Sequence, residues 1–327
     1  MKSLVLKAAV AAAGLLVAGS VVAAERTYFV SPKMFGPAYW TAAEIGVKQA
    51  EKDLGVTVIY NASTEADSAK QINLFQDMLN RELNGIAVAP NDAAAMIPVI
   101  KRATEAGIPV ITFDSDSSES TRQYYIGAQE DAAIGIEMVE YLAQSIGGKG
   151  EIAFMVSALG SQNQIDKVTP AEAYLKEKYP EITVVTTLES GDDQQVAFNN
   201  AQNLLQTYPD LVGIVGFAGA ETPAAAEVVS QAVKAGTLQE GEVKVTGIVV
   251  PSLIAPYLKA GTVDAAFIWD PIKLGYTAVY VIDQLGQGKT LGDTIEVPTV
   301  GTLKVEGPNI YVGLLKLTRE NVDSFGF

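Results

Sequence analysis

The most constraining feature of this sequence is a regular alternation of short strand-like runs and longer segments with helical spacing of apolar residues. The runs "TYFVS" (27–31), "VTVIYN" (56–61), "GIAVAP" (85–90) and "PVITFD" (109–114) are rich in β-branched and aromatic residues. Continuous runs of this kind are typical of strands buried on both faces of a parallel sheet. The intervening segments, such as 38–55, repeat apolar residues at helical spacing. The alternation predicts an α/β fold whose parallel sheet is covered by helices.

The same alternation begins again near residue 150. Its strand-like runs are "GEIAFMVS" (150–157), "TVVTTLES" (183–190), "GIVGF" (213–217), "VKVTGIVV" (243–250) and "AAFIWD" (265–270). Because no Gly/Ser-rich linker separates the halves, we expect a direct crossover near "YYIGAQED" (124–131). The apolar helix at 272–288 is predicted to return to the first half. The sequence therefore predicts two Rossmann-like lobes, joined by hinge crossovers, with a cleft at the carboxyl ends of their strands.

These crossovers assign the chain to two discontinuous lobes. The predicted N-terminal lobe takes residues 25–126 plus about 271–300. The predicted C-terminal lobe takes residues 127–270 plus about 301–327.

The first 24 residues have the pattern of a secretory signal peptide. Lys2 and Lys7 supply a basic start, residues 8–23 form an apolar Ala/Gly-rich run, and small residues at 22–24 offer a cleavage site before Glu25. A single membrane anchor is the alternative, but it fits less well because no basic flank follows the run. Residues 1–24 are therefore predicted to direct export to the periplasm.

Composition removes several classes of function. The chain has no cysteine and no histidine, which excludes serine–histidine catalysis, thiolate nucleophiles and zinc–thiolate sites. Its 38 acidic residues against 23 basic ones give a formal charge of −15, which disfavours nucleic acid as a partner.

Motifs for cofactors and metals are also missing from the sequence. No phosphate-binding glycine motif opens a helix after the first strand, so no nucleotide cofactor is expected. The run "DSDSSE" (114–119) alternates oxygen-bearing side chains, yet it lacks the glycine and the distal glutamate of a calcium-binding loop. We therefore expect no metal here, and a solvated loop from Asp116 to Glu119.

Side chains at the carboxyl ends of the predicted strands are the candidate ligand contacts, because open α/β sheets bind ligands there. Asp114 and Asp270 directly follow strands, where a buried carboxylate needs hydrogen-bond donors. Vicinal hydroxyl groups of a ligand would supply those donors. The alternative is that each acid caps the helix that follows, and Pro271 strengthens that alternative for Asp270. The candidates at strand ends are Lys33, Asp92, Asp114, Asn163, Gln164, Phe217 and Asp270.

Aromatic residues give a second indication of a ligand site. Tyr39 and Trp40 begin the first predicted helix beside a strand end, where flat rings could stack on the apolar face of a sugar. Burial in the lobe core is the alternative for each ring. Phe217 is a third candidate ring, from the opposite half. Lys33 could donate to a ligand oxygen or neutralise Asp114, and a solvated loop lysine is its alternative.

From Glu25 onward the chain resembles the periplasmic sugar-binding proteins of ABC importers, of the ribose-binding type. The resemblance rests on "AYWTAAEIGVKQAEKDLGV", "VITFDSD" and "YPDLVGIVGF", and it covers nearly the whole chain. Through "SPK", "FIWDPIKLG", "VGTLKVE" and "RENVDSFGF" the chain is most similar to the autoinducer-2-binding branch and its rhamnose-binding relatives. The resemblance implies the type I periplasmic binding protein fold.

The resemblance also implies particular site residues. The lysine and aspartate of the autoinducer-2 site match Lys33 and Asp114, and its Asp–Gln pair falls on Asn163 and Gln164. Its proline and alanine contacts fall on two different residues, Phe217 and Gly219. The aromatic pair of the ribose-binding type falls on Tyr39 and Trp40. The changes at Asn163 and Phe217 leave a monosaccharide or related polyol open beside autoinducer-2.

The function that we predict is capture, without catalysis, of a small sugar-like ligand that a binding protein delivers to the membrane permease of an ABC importer. The protein is expected to act as a monomer, with a chemoreceptor as a further partner. Autoinducer-2 binding for uptake or chemoreception is the alternative. An exported glycoside hydrolase would need two acids about 5 to 9.5 Å apart, for which Asp114 and Asp270 are the candidates. A DNA-binding repressor of the same fold would need an N-terminal helix-turn-helix where the signal peptide is predicted.

Overall fold

The structure, a computed structural model, describes residues 26–327, and the predicted signal peptide lies outside the described residues. The strands are β1 (Thr27–Ser31), β2 (Thr57–Tyr60), β3 (Gly85–Val88), β4 (Val110–Phe113), β5 (Tyr124–Gly127), β6 (Lys149–Val156), β7 (Glu181–Glu189), β8 (Leu211–Gly216), β9 (Lys244–Gly247), β10 (Ala266–Ile268), β11 (Thr294–Val297), β12 (Gly301–Glu306), β13 (Asn309–Tyr311) and β14 (Leu315–Leu317). The helices are α1 (Ala38–Leu54), α2 (Ser68–Met78), α3 (Ala93–Glu105), α4 (Asp131–Ser145), α5 (Gln162–Lys178), α6 (Gln194–Thr207), α7 (Glu221–Lys234), α8 (Pro251–Ala260) and α9 (Pro271–Gly286). A short 3-10 turn covers Val322–Ser324.

The first sheet has eight strands in the order β11-β12-β13-β5-β4-β3-β1-β2. Strands β1 to β5 run parallel, and β13 joins β5 in the same direction. Strands β11 and β12 complete one edge in antiparallel pairing. Every residue of β3 and β4 is buried, as the continuous apolar runs predict for strands covered on both faces.

The second sheet has the parallel order β7-β6-β8-β9. Strand β10 lies beside β9 through a parallel bridge between Ile248 and Phe267, and β14 pairs antiparallel with β10. The predicted fold class, two lobes of mostly parallel sheet flanked by helices, is confirmed. We call the first sheet with α1, α2, α3 and α9 the N-terminal lobe, and the second with α4 to α8 the C-terminal lobe.

Three connections join the lobes: β5 to α4, β10 to α9, and β13 to β14. The prediction that residues from about 301 belong to the C-terminal lobe is wrong for β12 and β13. The two strands form a hairpin whose second arm pairs with β5, and the N–H of Tyr125 donates to the carbonyl of Pro308 at 2.8 Å. Ile310 is fully buried there, so the hairpin completes the core of the first lobe. Only β14 rejoins the second sheet.

Several helices begin at an aspartate that follows a strand or loop. Asp67, Asp92, Asp193 and Asp270 each accept a hydrogen bond from a backbone N–H of the helix they precede. Such caps satisfy donors that have no partner within the helix. Within residues 26–327, no helix combines the length and the hydropathy needed to cross a membrane.

Helix α9 packs against α1 at very close range. A Cβ atom at Gly46 would lie 1.9 Å from the carbonyl oxygen of Ile272, and one at Gly275 would lie 2.3 Å from that of Ala43. Only glycine permits this backbone approach, which fixes the returning helix on the N-terminal lobe.

We expect Gly46→Ala to lower the free energy of unfolding by about 1–3 kcal/mol, because the added methyl group forces the two helices apart. The same change at Gly292 meets no atom closer than 3.7 Å and serves as the control. Urea denaturation of both variants measures the difference. Equal stability of the two would contradict the close packing of α1 and α9.

Candidate functional site

A cleft of about 580 Å³ lies between the lobes at the carboxyl ends of their strands. This volume is in the range of pockets for small organic ligands. Eight of the ten predicted site residues line it: Lys33, Tyr39, Trp40, Asp114, Asn163, Gln164, Phe217 and Gly219.

Asp114 is held in place through both its backbone and its side chain. It follows β4 with a φ of 63°, a left-handed conformation that aspartate adopts more readily than most residues. Its N–H donates to the carbonyl of Ile126 at 2.9 Å, and its own carbonyl accepts from the Tyr125 hydroxyl at 3.1 Å. Its Oδ1 accepts from the Tyr39 hydroxyl at 2.7 Å, and the residue is 6% exposed. The carboxylate is therefore presented to the cleft in a single fixed orientation.

Tyr39 connects Asp114 to Trp269. Its hydroxyl donates to Asp114 and accepts from the indole N–H of Trp269. The rings of Tyr39 and Trp269 meet edge to face, with centroids 5.9 Å apart. Burial, reinforced by the charge of Asp114, raises the pKa of Tyr39 well above its usual range, so the hydroxyl remains a donor.

Trp40 serves both the cleft and the core. It is 3% exposed, lines the cleft, and meets Phe113 edge to face at 6.1 Å. Tyr39 is perpendicular to Trp40, with centroids 4.9 Å apart. The two hypotheses for these rings, ligand contact and packing in the lobe core, are therefore compatible in this structure.

Lys33 contacts both lobes across the cleft. Its ammonium lies 3.7 Å from Oδ2 of Asp114 in its own lobe. In the opposite lobe it donates to Oδ1 of Asn163 at 3.2 Å and to Oγ of Ser161 at 3.4 Å. Burial lowers the pKa of Lys33, while the charge of Asp114 opposes that shift. The predicted alternative of a solvated loop lysine is wrong, since Lys33 is 4% exposed.

Further direct contacts close the lobes on each other. The Asn163 amide donates to the carbonyl of Asp114 at 3.3 Å, and the Ser161 hydroxyl donates to the carbonyl of Asn91 at 3.0 Å. These bonds join the start of α5 to the ends of β3 and β4. The structure is thus a closed arrangement of the two lobes.

Gln164 and Phe217 shape the wall of the cleft in the C-terminal lobe. The Gln164 side chain accepts from the N–H of Ser157 and donates to the carbonyl of Phe217, both at 3.3 Å. It therefore braces the ends of β6 and β8. Phe217 packs edge to face on Phe154 with centroids 4.9 Å apart, so its ring belongs mainly to the lobe core. A Cβ atom at Gly219 would meet no atom within 4 Å, which leaves that backbone open to the cleft.

Asp92 and Asp270 were predicted as ligand contacts, and the structure shows both as helix caps. Asp92 accepts from the N–H of Ala95 at 2.8 Å, and Asp270 accepts from the N–H groups of Ile272 and Lys273 at 2.9 and 3.1 Å. Neither residue lines the cleft. Helix capping orients both carboxylates along their own helices, as the sequence alternative allowed.

Asp116 also departs from expectation. It was predicted in a solvated loop, but it is 8% exposed and forms an ion pair with Arg122 at 2.5 Å. Glu119 is exposed, as expected. The described residues contain no cluster of acidic, histidine or cysteine side chains suited to a metal.

Asp192 and Trp269 are among the cleft residues that sequence reasoning missed. Trp269 immediately precedes the predicted Asp270, so the strand end was recognised but the wrong neighbour was chosen. Asp192 lies in "ESGDDQQ" after β7, where a Gly-Asp-Asp turn at a strand end was the available signal. Burial raises the pKa of Asp192, with Lys33 opposing.

The buried ammonium group of Lys167 contacts residues that line the cleft. The ammonium of Lys167, fully buried, lies 2.5 Å from Oδ1 of Asp131 and donates to the carbonyl of Asn163 at 2.9 Å. It also lies 5.5 Å from the centroid of the Trp269 ring. Burial raises the pKa of Asp131 to about 6 although Lys167 opposes the shift. Lys167 thus connects the first crossover to two cleft residues.

Glu221 is a second buried acid behind the cleft. It begins α7, is fully buried, and accepts from the Ser190 hydroxyl. Burial, with the charge of Asp192, raises the pKa of Glu221 to about 8. The carboxyl is therefore neutral in the folded protein at pH 7 and ionised in the unfolded chain.

This difference makes stability depend on pH. Between about pH 4.5 and pH 8 the unfolded state loses the proton that folded Glu221 retains, so the Glu221 contribution to stability declines as pH rises. In Glu221→Gln this decline is absent. We expect the melting temperature of the variant relative to the parent to rise through that window. Glu137→Gln, at an exposed position of α4, is the matched control. A constant difference across the window would contradict the assignment.

Two α/β lobes that close on a cleft at their strand ends define a two-lobed ligand-binding protein. Residues 28–290 match the family described as periplasmic binding protein domain. The chain belongs to this family.

Individual relatives agree with that assignment. The D-allose-binding periplasmic protein of Escherichia coli is 26% identical over 287 residues, covering 85% of this chain and 90% of that protein. The structure of LsrB from Clostridium saccharobutylicum in complex with AI-2 is similar with a TM-score of 0.84 at 22% identity, covering 92% of this chain and 100% of that one. A solute-binding protein from Clostridium phytofermentas with bound L-rhamnose has a TM-score of 0.84 at 23% identity, covering 92% and 98%.

Proposed function

We propose that this protein is the solute-binding component of an ABC importer, which captures a small polyhydroxylated ligand, a monosaccharide or related polyol, in the cleft between its lobes. The observation that carries the proposal is the fixed, buried carboxylate of Asp114, which lies beside Lys33 of its own lobe, while the Lys33 ammonium bonds to Asn163 of the opposite lobe. An anchored carboxylate accepts strong hydrogen bonds from neutral hydroxyl groups. The family assignment and the sugar-binding relatives support the same function.

Binding of the ligand is coupled to closure of the two lobes. Lys33 and Asp114 lie in one lobe, whereas Asn163, Gln164 and Asp192 lie in the other, so a ligand touches both sets only when the lobes close. A ligand shifts the equilibrium toward the form with which it makes more contacts. The closed form is then the species that a membrane permease receives.

Binding without catalysis is the function that this site supports better than glycoside hydrolysis. The hydrolase hypothesis relied on Asp114 and Asp270 as a pair of acids. Asp270 caps α9 through its side chain and does not line the cleft. The structure therefore gives no support to that pair of acids as the two that glycoside hydrolysis requires.

Autoinducer-2 binding, for uptake or chemoreception, is the second candidate. Lys33 and Asp114, which match that site by resemblance, do lie together in the cleft. Asn163 stands where that site has a carboxylate, which leaves a sugar or polyol open beside autoinducer-2. The predicted signal peptide at 1–24 supports export to the periplasm. There the protein is proposed to act as a monomer. Its proposed partners are the membrane permease and a chemoreceptor.

We expect Asp114→Asn to weaken ligand binding by about 10-fold or more while the protein still folds, because a neutral amide is a weaker acceptor than a carboxylate. Asparagine also tolerates the left-handed backbone at this position. Asp270→Asn is the matched control, since asparagine caps helices well and Asp270 lies outside the cleft.

A thermal-shift screen of pentoses, hexoses, deoxysugars, polyols and autoinducer-2 first identifies a ligand, because ligands raise the melting temperature by mass action. Calorimetry then compares the two variants. Unchanged affinity in Asp114→Asn would refute the assigned site, and the absence of any shift in the screen would refute the function.

A further inference from the structure

The cleft lining supplied by the C-terminal lobe is sorted by polarity along the edge of the sheet. The strands lie in the order β7, β6, β8, β9 and then β10. At the β7 and β6 end, Asp192 and Ser157 line the cleft, and Asn163 and Gln164 of α5 lie beside them. At the β8, β9 and β10 end, beside the short segment 218–220, the lining residues are Phe217, Ile248, Val250, Leu253, Ile268 and Trp269. We call these six residues the apolar wall.

Three polar groups within the apolar wall already have partners. The indole N–H of Trp269 donates to the Tyr39 hydroxyl, and the carbonyl of Phe217 accepts from Gln164. The N–H of Ile248 donates to the carbonyl of Gly216 at 2.8 Å. A ligand hydroxyl placed against the wall would therefore lose its hydrogen bonds to water and find no side-chain partner there.

The opposite side of the cleft supplies charged groups. Asp114 and Lys33 supply a carboxylate and an ammonium from the N-terminal lobe, and Asn163 meets them from the other lobe. Hydroxyl groups on one edge of a ligand can bond to this side, while the other edge lies against hydrocarbon. The two sides favour a ligand that is itself two-sided.

We propose that the apolar wall selects a polyol that carries a methyl or similar hydrocarbon group on the edge opposite its hydroxyls, such as a deoxysugar. This inference rests on the proposed function, since it assumes that Asp114 anchors the hydroxyl edge. A methyl group gains from burial against the wall, whereas the corresponding hydroxymethyl group buries an unpaired hydroxyl.

Matched sugar pairs test the inference, because L-rhamnose and L-mannose, or L-fucose and L-galactose, differ only by the hydroxyl at C6. Calorimetry should show the deoxy member of a bound pair binding about 10-fold or more tightly, the size expected for one buried unpaired hydroxyl. Equal or tighter binding of the hydroxylated member would overturn the inference. Binding confined to fully hydroxylated compounds in the thermal-shift screen would overturn it as well.

The outcomes separate this inference from the function on which it rests. If no sugar or polyol binds, the proposed function fails and the inference fails with it. If sugars bind without preference for the deoxy member, the inference alone fails.

Variants of the wall give a second test. Leu253 is half-buried in the first turn of α8, so Leu253→Asn adds a polar partner to the wall at small cost to folding. The preference for the deoxy member should then fall several-fold. Ser252→Asn, on the exposed face of the same helix, should leave the preference unchanged. Val250→Thr, nearly isosteric, repeats the test if Leu253→Asn does not fold. An unchanged preference in both wall variants would overturn the inference.

Discussion

A buried ammonium group shared between two lobes is the interaction on which the closed molecule depends. Lys33 extends from the end of β1 and is 4% exposed, so its charge has little water to solvate it. Its acceptors are Asp114 in one lobe and Ser161 and Asn163 in the other. Burying a charge is costly unless it is paired and hydrogen-bonded. Opening the lobes exchanges two of these acceptors for water, which allows the protein to open at modest cost.

The recognition chemistry is assembled from both lobes through side chains that fix one another. Asp114 is oriented by Tyr39, Tyr39 is oriented by Trp269, and the ring of Trp269 lies beside the ammonium of Lys167. Lys167 in turn bonds to the carbonyl of Asn163, a residue that reaches back to Asp114. The chain of contacts closes on itself, so no member can move without displacing another. Such preorganisation lowers the entropy that a ligand must lose on binding.

Much of the fold could be predicted from the sequence, because buried parallel strands leave a strong pattern. Strands β1 to β4 and β6 to β10 fall within or beside the expected apolar runs, whereas β5 lies in the segment that was expected only to cross between the lobes. The hairpin of β12 and β13 could not be placed, since its pairing with β5 joins residues almost two hundred positions apart and leaves no local signal. The position of the hairpin is decided by burial in the folded protein, because Ile310 is fully buried only where β13 pairs with β5.

The sequence predicted correctly which strand ends contribute to the site, but it did not predict as well which residue at each strand end faces the cleft. Asp114 and Asp270 both follow strands, yet one faces the cleft and the other caps a helix. The difference lies in backbone conformation: Asp114 has a φ of 63°, whereas Asp270 has an extended backbone followed by proline. The sequence also could not predict that polar and apolar residues line different parts of the cleft. That separation depends on the order of strands in the second sheet and not on their order in the chain.

The three crossings between the lobes have a consequence for how the chain folds. The N-terminal lobe lacks α9 and the β11–β13 edge until residues 271–311 are present, and the C-terminal lobe lacks β14 until residue 317. Neither lobe is a contiguous piece of the chain, so no single cut releases one of them whole. Contacts between distant residues close large loops late and make folding slow. The final sixty residues therefore complete both halves almost together, which ties the assembly of the ligand cleft to the last part of the chain.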